Sequence, residues 1–169
     1  MPGHTAVQIQ TVRVLVVDDE ATIRDVIADA LREPGYEVQT ASNGVEALTL
    51  MHRWLPDIIV LDLMMPRLDG AGFTELMRVN PAFVEIPVLL VTAAYGAEAA
   101  AKQAGARAWL SKPFELDHLV QMVAQLANES GPLPRVDGLP RVASDGLPHA
   151  ASDGLPHAAN DGLSHEPGA

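Results

Sequence analysis

Five short segments along the first three quarters of the chain have the length and residue types of β-strands, and most of them are mainly apolar. They occupy residues 12–17, 36–40, 58–61, 87–91 and 107–110. The run at 58–61 is unbroken and contains only β-branched and aliphatic side chains, which is typical of a strand buried on both faces of a parallel sheet. The pattern therefore predicts five strands, with the run at 58–61 in the middle of the sheet.

Between these runs, apolar residues spaced three or four positions apart predict helices. Residues that start or stop helices and turns separate the two kinds of segment: Pro34-Gly35, Asn43 with Glu46, Asp69-Gly70, Gly96 and Gly105. We interpret Asn43 and Glu46 as a capping box, and Asp69-Gly70 as a turn. A strand followed by a helix, repeated five times, predicts an α/β fold. Its core would be a doubly wound five-stranded parallel sheet with helices on both faces.

Polar groups stand where four of the predicted strands end. Asp18 and Asp19 follow the first strand, Asp62 follows the third, Thr92 follows the fourth, and Lys112 follows the fifth. Parallel strands present their carboxyl ends at one edge of the sheet, which is where ligands bind in open α/β folds. A single aspartate there is most simply a solvated loop residue. Several such groups together predict a site.

The two ends of the chain differ from this central region. Residues 1–11 form an N-terminal extension, and residues 129–169 form a tail built on an eight-residue unit that begins Asp-Gly-Leu-Pro. Each unit holds a single leucine, which buries too little apolar surface to offset the entropy of ordering the chain. We therefore predict a disordered tail, and we attribute its regularly spaced histidines to repeat expansion.

Composition narrows the classes of function. The chain has a net charge of −11 and no cysteine, so disulfides and thiolate metal sites are excluded, and direct binding of nucleic acid is not expected. The N-terminus lacks the basic and apolar parts of a signal peptide, and no apolar run has the roughly 18 residues that span a bilayer. We expect a cytoplasmic protein without a membrane segment.

The residue types at the strand ends favour phosphoryl chemistry. Clustered carboxylates repel one another unless a cation lies among them, and hard oxygen ligands suit Mg²⁺. An aspartate can attack phosphorus and form an acyl phosphate. Thr92 and Lys112 would then be placed to hold the phosphoryl oxygens.

At this point the chain resembles a known family. Asp18-Asp19, Asp62 within Leu-Asp-Leu-Met-Met-Pro, Thr92-Ala93 and Lys112-Pro113 together resemble the receiver domain of two-component response regulators. Each motif alone is weakly specific, but four in this order are highly specific. The resemblance covers residues 12–128 and implies a flavodoxin-like (βα)5 fold with strand order 2-1-3-4-5.

The resemblance also implies roles for individual residues. Asp62 would be the phosphoacceptor. Asp19, Asp62 and the main-chain carbonyl of Met64 would bind Mg²⁺, with Asp18 assisting through water. Lys112 would contact the phosphoryl group.

Two further roles concern the response to phosphorylation. Thr92 would be the switch hydroxyl, and Trp109 occupies the position of the switch aromatic residue. Most members of the family carry Tyr or Phe there, and a packed core residue is an equal alternative for Trp109. The Lys112–Pro113 peptide bond is expected to be cis.

The function implied is that of a stand-alone response regulator of the chemotaxis-regulator type, a signalling protein rather than an enzyme. A sensor histidine kinase or phosphotransfer protein would phosphorylate Asp62. Output would pass to a protein target or a phosphorylation-dependent homodimer.

Two alternatives differ in class. One is a docking module for which phosphorylation does not matter. The other is a haloacid-dehalogenase-like phosphatase, which would need Asp18 and Glu20 as its carboxylate pair and would leave Asp62 without a role.

Overall fold

The computed structural model describes residues 10–93 and 95–131, in which strands and helices alternate strictly along the chain. The strands are β1 (Arg13–Val17), β2 (Glu37–Ala41), β3 (Ile58–Asp62), β4 (Val88–Thr92) and β5 (Ala108–Ser111). The helices are α1 (Ala21–Arg32), α2 (Gly44–Met51), α3 (Gly70–Val79), α4 (Ala97–Ala104) and α5 (Leu116–Ser130). Most of the predicted N-terminal extension and of the predicted repeat tail lies outside the described residues.

The strands form one parallel sheet in the order β2-β1-β3-β4-β5. This is the doubly wound, flavodoxin-like arrangement that the strand–helix alternation and the family resemblance predict. Strand β3 lies at the centre, between β1 and β4, and its five residues are all buried. In the register of the sheet, Val17 is opposite Leu61, Asp62 is opposite Val91, and Thr92 is opposite Ser111. The carboxyl ends of these strands therefore lie at one edge.

The hydrophobic core consists of two layers, one on each face of the sheet. Alternate residues of β3 supply both layers, because successive side chains of a strand point to opposite faces. Ile59 and Leu61 pack in the layer that includes residues of α2, α3 and α4, whereas Ile58 and Val60 pack in the layer that includes residues of α1 and α5. No helix among the described residues is long and apolar enough to cross a membrane.

One predicted turn differs from the structure. Asp69-Gly70 is not a separate turn. Asp69 is the N-cap of α3, and its side chain accepts a hydrogen bond from the Gly72 amide. At the other end of the domain, α5 ends at Ser130, and Gly131 with φ +64° follows it. A positive φ suits glycine and breaks the helical backbone pattern, so the helix ends there.

A glycine fixes the start of α3 against the central strand. A side-chain carbon on Gly70 would lie 2.8 Å from the main-chain oxygen of Asp62 and 2.8 Å from Cα of Leu63. Only glycine allows this approach without a shift of the backbone. The Gly70 amide also donates to the carbonyl of Leu63. The segment that follows Asp62 is thereby held close to the end of the sheet.

Candidate functional site

Three aspartates come together at the carboxyl edge of the sheet. Asp18 and Asp19 follow β1, and Asp62 is the last residue of β3. One carboxylate oxygen from each lies within 4.8 Å of the others. Asp18 and Asp62 are buried, with 2% and 6% of their surfaces exposed, while Asp19 is exposed to solvent. The cluster thus has two enclosed carboxylates and one that faces outward.

Lys112 joins the two buried carboxylates. Its Nζ donates to Asp18 Oδ2 at 2.9 Å and to Asp62 Oδ2 at 3.3 Å. Lys112 follows β5, and its amide donates to the Thr92 carbonyl at 2.9 Å, so it is anchored to the end of β4. The Lys112–Pro113 bond is cis, as the family resemblance implied. The predicted ammonium is therefore inside the acidic cluster, where it offsets part of the carboxylate repulsion.

Burial and neighbouring charges shift the pKa values of Asp62 and Lys112. Burial raises the pKa of Asp62 above its ordinary value, and the hydrogen bond from the Met64 amide and the charge of Lys112 offset only part of this. Burial alone would lower the pKa of Lys112. Its hydrogen bond to Asp18 and the charge of Asp62 outweigh burial and raise that pKa. The Asp62 carboxylate is consequently less stabilised than an exposed one, while Lys112 stays charged at neutral pH.

Asp18 is held by contacts on every side. Its amide donates to the Ala41 carbonyl at 3.2 Å, and its Oδ1 accepts from the Glu20 amide at 2.8 Å. Its Oδ2 binds Lys112 as described above. Neither Asp18 nor Asp19 is the cap of α1, because the N-cap residue is Glu20 and its side chain makes no capping hydrogen bond. The buried aspartate is part of the site rather than of the helix terminus.

The remaining predicted residues surround the cluster. Thr92 ends β4 and is fully buried. Met64 is 68% exposed, and its amide donates to Asp62 Oδ1 at 3.2 Å. Trp109 lies in the edge strand β5 and is 40% exposed, so it is not a packed core residue. Met64 therefore adjoins Asp62 through its backbone, and Trp109 is partly exposed to solvent.

Sequence reasoning missed one residue that contacts the cluster. Arg24 of α1 donates from Nη1 to the main-chain oxygen of Asp18 at 2.8 Å. Its position in the sequence carries no warning of this, since Arg24 lies on the polar side of an ordinary amphipathic helix. The only signal in the sequence was that Arg24 follows Asp18 by six residues. Many surface arginines stand at such a distance from an acidic residue.

The donor set fits a hard divalent cation. Carboxylate oxygens from three aspartates, without sulfur or imidazole, are the ligands that Mg²⁺ takes in proteins. Magnesium usually keeps several waters and uses one or two carboxylates. The exposed Asp19 leaves an open side at which waters and an oxyanion could complete the coordination.

Comparison with known proteins agrees with this geometry. The family model of the response regulator receiver domain matches residues 14–124. The response regulator MprA of Mycobacterium sp. (strain KMS) is 39% identical over 123 residues, which cover 72% of this chain and 53% of that protein. A relative from Guillardia theta, ycf27, named as a transcriptional regulator, is 37% identical over 123 residues, which cover 70% of this chain and 47% of its own.

Solved structures show the same relationship. Chemotaxis protein CheY4 of Vibrio cholerae matches with a TM-score of 0.65 and 33% identity, over 69% of this chain and 99% of that chain. By contrast, this chain spans about half the length of the curated relatives it matches. The matched segment includes every member of the acidic cluster and the lysine that pairs with it. The chain belongs to the response regulator receiver domain family of two-component signalling.

Proposed function

We propose that this chain accepts a phosphoryl group on Asp62 from a sensor histidine kinase or a phosphotransfer protein. The observation that carries the proposal is the position of Asp62. It is a nearly buried carboxylate at the end of the central strand, 3.3 Å from Lys112 and within reach of two further aspartates. Receiver domains are signalling modules that work with such phosphoryl donors. Asp62 is the residue of this chain that would accept the phosphoryl group.

The transfer follows from the atoms at the site. An Asp62 carboxylate oxygen attacks the phosphorus of the donor, and the bond from phosphorus to the donor's histidine nitrogen breaks. The electron pair of that bond returns to the imidazole. Lys112 would move from its place between the two carboxylates to a phosphoryl oxygen, where its charge offsets the charge that gathers there. The hydroxyl of Thr92 would donate to the same group.

The acidic cluster would hold Mg²⁺ during this transfer, through Asp19, Asp62 and the Met64 carbonyl, with Asp18 acting through water. When bound, the ion neutralises carboxylate and phosphoryl charge. Asp18 supports this division of labour, because both of its carboxylate oxygens already accept hydrogen bonds from within the chain. Asp19 is the exposed member and the one that a hydrated ion would reach directly from solvent.

Output is proposed to pass through protein contacts, either with a target or with a second copy of the chain, with residues 12–128 acting as the receiver. The exposed fraction of Trp109 supports a role in this switch together with Thr92. Output by protein contact would resemble that of a solved chemotaxis protein such as CheY4, which this chain matches over 99% of its length. We do not propose for this chain the transcriptional role that ycf27 is named for, because the match covers only about half of the length of ycf27.

The test is phosphate uptake from acetyl phosphate and Mg²⁺, followed by intact mass. Wild type should gain one phosphoryl group, and Asp62→Asn should gain none. Asp57→Asn is the matched control. Asp57 is equally buried at the opposite end of β3, about 16 Å away, and asparagine keeps an acceptor for the Arg13 amide that Asp57 now binds. Uptake by Asp62→Asn, or its loss in both variants, would contradict the assignment.

The same variants distinguish the proposed phosphoacceptor from the remaining alternative, a docking module for which phosphorylation does not matter. A docking module that ignores phosphorylation would bind its partner equally well as wild type and as Asp62→Asn. The match to the receiver family argues against the haloacid-dehalogenase-like phosphatase, which would have used Asp18 and Glu20 as its carboxylate pair.

A further inference from the structure

Arg24 contacts the loop that carries the aspartate pair. From the first turns of α1, its guanidinium reaches back six residues to the main-chain oxygen of Asp18, at 2.8 Å. Arg24 is half-buried, so part of its charge is shielded from solvent. A guanidinium that donates to a carbonyl in such a place forms a stronger and better-oriented hydrogen bond than a neutral donor.

The carbonyl that Arg24 binds belongs to the peptide unit between Asp18 and Asp19. A peptide unit is planar, so fixing its oxygen fixes the plane from the Cα of Asp18 to the Cα of Asp19. The Asp18 end of this unit is already fixed by the bonds of its amide and of both carboxylate oxygens. The Asp19 end is different, since Asp19 is exposed. Arg24 therefore acts on the peptide that aims the Asp19 side chain.

The charge of Arg24 is also felt at the start of α2. Hydrogen bonds from the amide and hydroxyl of Ser42 lower the pKa of Glu46, and the charge of Arg24 adds a smaller attraction. Glu46 lies in the first turn of α2, next to the Asn43 cap. The guanidinium of Arg24 therefore contacts the Asp18 carbonyl directly, and its charge acts on Glu46 only at a distance.

We propose that Arg24 is a positioning residue for the cation site: through the Asp18 carbonyl it orients Asp19 toward the ion. The inference rests on the proposed function, in which Asp19 is a ligand of Mg²⁺. It runs against simple electrostatics. A positive side chain beside a cation site repels the cation, so a role through charge alone would make Arg24 unfavourable for Mg²⁺. A positioning role makes it favourable. The two roles predict opposite signs.

Three variants distinguish them. Arg24→Met removes the charge and the donor but keeps an apolar stem of similar length. Arg24→Lys keeps the charge but replaces the rigid planar fork by a single flexible ammonium. Arg32→Met is the matched control, with the same change of charge on the same helix. Arg32 lies about 12 Å further along the axis, and its side chain pairs with Asp29 at the surface.

The measurement is Mg²⁺ affinity, obtained from the rise of the unfolding temperature with Mg²⁺ concentration, because a ligand that binds only the folded chain stabilises it increasingly as its concentration exceeds the Kd. Electron paramagnetic resonance of Mn²⁺ provides an independent affinity. Arg24→Met should weaken binding on the order of tenfold, as is common when a residue that orients a metal ligand is removed. Arg24→Lys should fall between Arg24→Met and wild type, and Arg32→Met should match wild type.

Each other outcome decides the question. Tighter binding by Arg24→Met, with Arg24→Lys equal to wild type, would show that Arg24 acts by charge and would overturn the proposal. Equal binding by all variants would also overturn it. If Arg24→Met does not fold, Arg24→Lys alone decides, since only positioning predicts that it binds more weakly than wild type. A wild-type chain that binds no Mg²⁺ would overturn the proposed cation site as well, which separates the two failures.

Discussion

The site is assembled from residues that each stand at the end of a strand, and for this reason most of them could be predicted. An aspartate or lysine that directly follows a buried strand of a parallel sheet lies at the carboxyl edge of that sheet. The pairing of Lys112 with both Asp18 and Asp62 could not be predicted from these positions, because the sequence does not say which carboxylate a long side chain will reach. Arg24 was missed for the same reason.

Asp62 gives a prediction about pH at the scale of one residue. Its folded pKa is raised above the ordinary value of 3.8, chiefly by burial. The folded chain therefore holds this proton more tightly than the unfolded chain does. The stability that results is fully present below the unfolded pKa and is lost as the pH rises through the folded pKa. Asp62→Asn does not titrate, so it should become more stable than wild type over that range.

Unfolding temperatures of both proteins, measured in EDTA from about pH 4 to about pH 7, test this. The difference in favour of Asp62→Asn should grow as the pH rises, and Mg²⁺ should reduce it by stabilising wild type alone. A difference that is flat, or that favours wild type more strongly at the higher pH, would show that Lys112 outweighs burial.

At the scale of elements, α4 is attached more weakly than its neighbours. Its buried residues are three alanines, Ala97, Ala101 and Ala104, and each methyl group adds about 0.8 kcal/mol at most. The glycines predicted to bracket it, Gly96 and Gly105, do so with φ of +82° and +63°. The limits of α4 were predictable because glycine favours these angles. The role of Asp69 was not, since aspartate is common both in turns and at helix N-caps.

Arg78 of α3 holds the end of this weak helix. Its Nη2 donates to the Gln103 carbonyl at 2.8 Å, and its guanidinium fills the space over Gly105. Arg78→Ala should therefore raise hydrogen exchange of the α4 amides about fivefold, the factor for one lost hydrogen bond of about 1 kcal/mol. Exchange in α5 should not change.

Arg107→Ala is the matched control. Within the described part of the chain, the side chain of Arg107 forms one ion pair, a long and exposed one with Glu129. Such pairs contribute little. Equal acceleration in every helix, or the same effect in the control, would show that Arg78 does not act on α4 in particular.

At the scale of the whole molecule, the class of fold followed from periodicity, whereas the order of the strands did not. Alternating strands and helices require a parallel sheet with right-handed crossovers, but several orders satisfy that requirement. The order 2-1-3-4-5 came from the family motifs, and the structure confirms it. The order matters for function because it puts β3 between β1 and β4. Asp62 is thereby placed among groups that are far apart in sequence, such as Asp18 and Lys112.

The central claim, that Asp62 receives the phosphoryl group, is tested most directly by locating the phosphate. After reaction with acetyl phosphate and Mg²⁺, borohydride reduces an aspartyl phosphate to the alcohol, so that the residue becomes homoserine and carries a mass mark through proteolysis. The account predicts this mark at Asp62 in the wild-type chain. A mark at Asp18 or Asp19, or phosphate that resists borohydride and is found on Thr92, would contradict it.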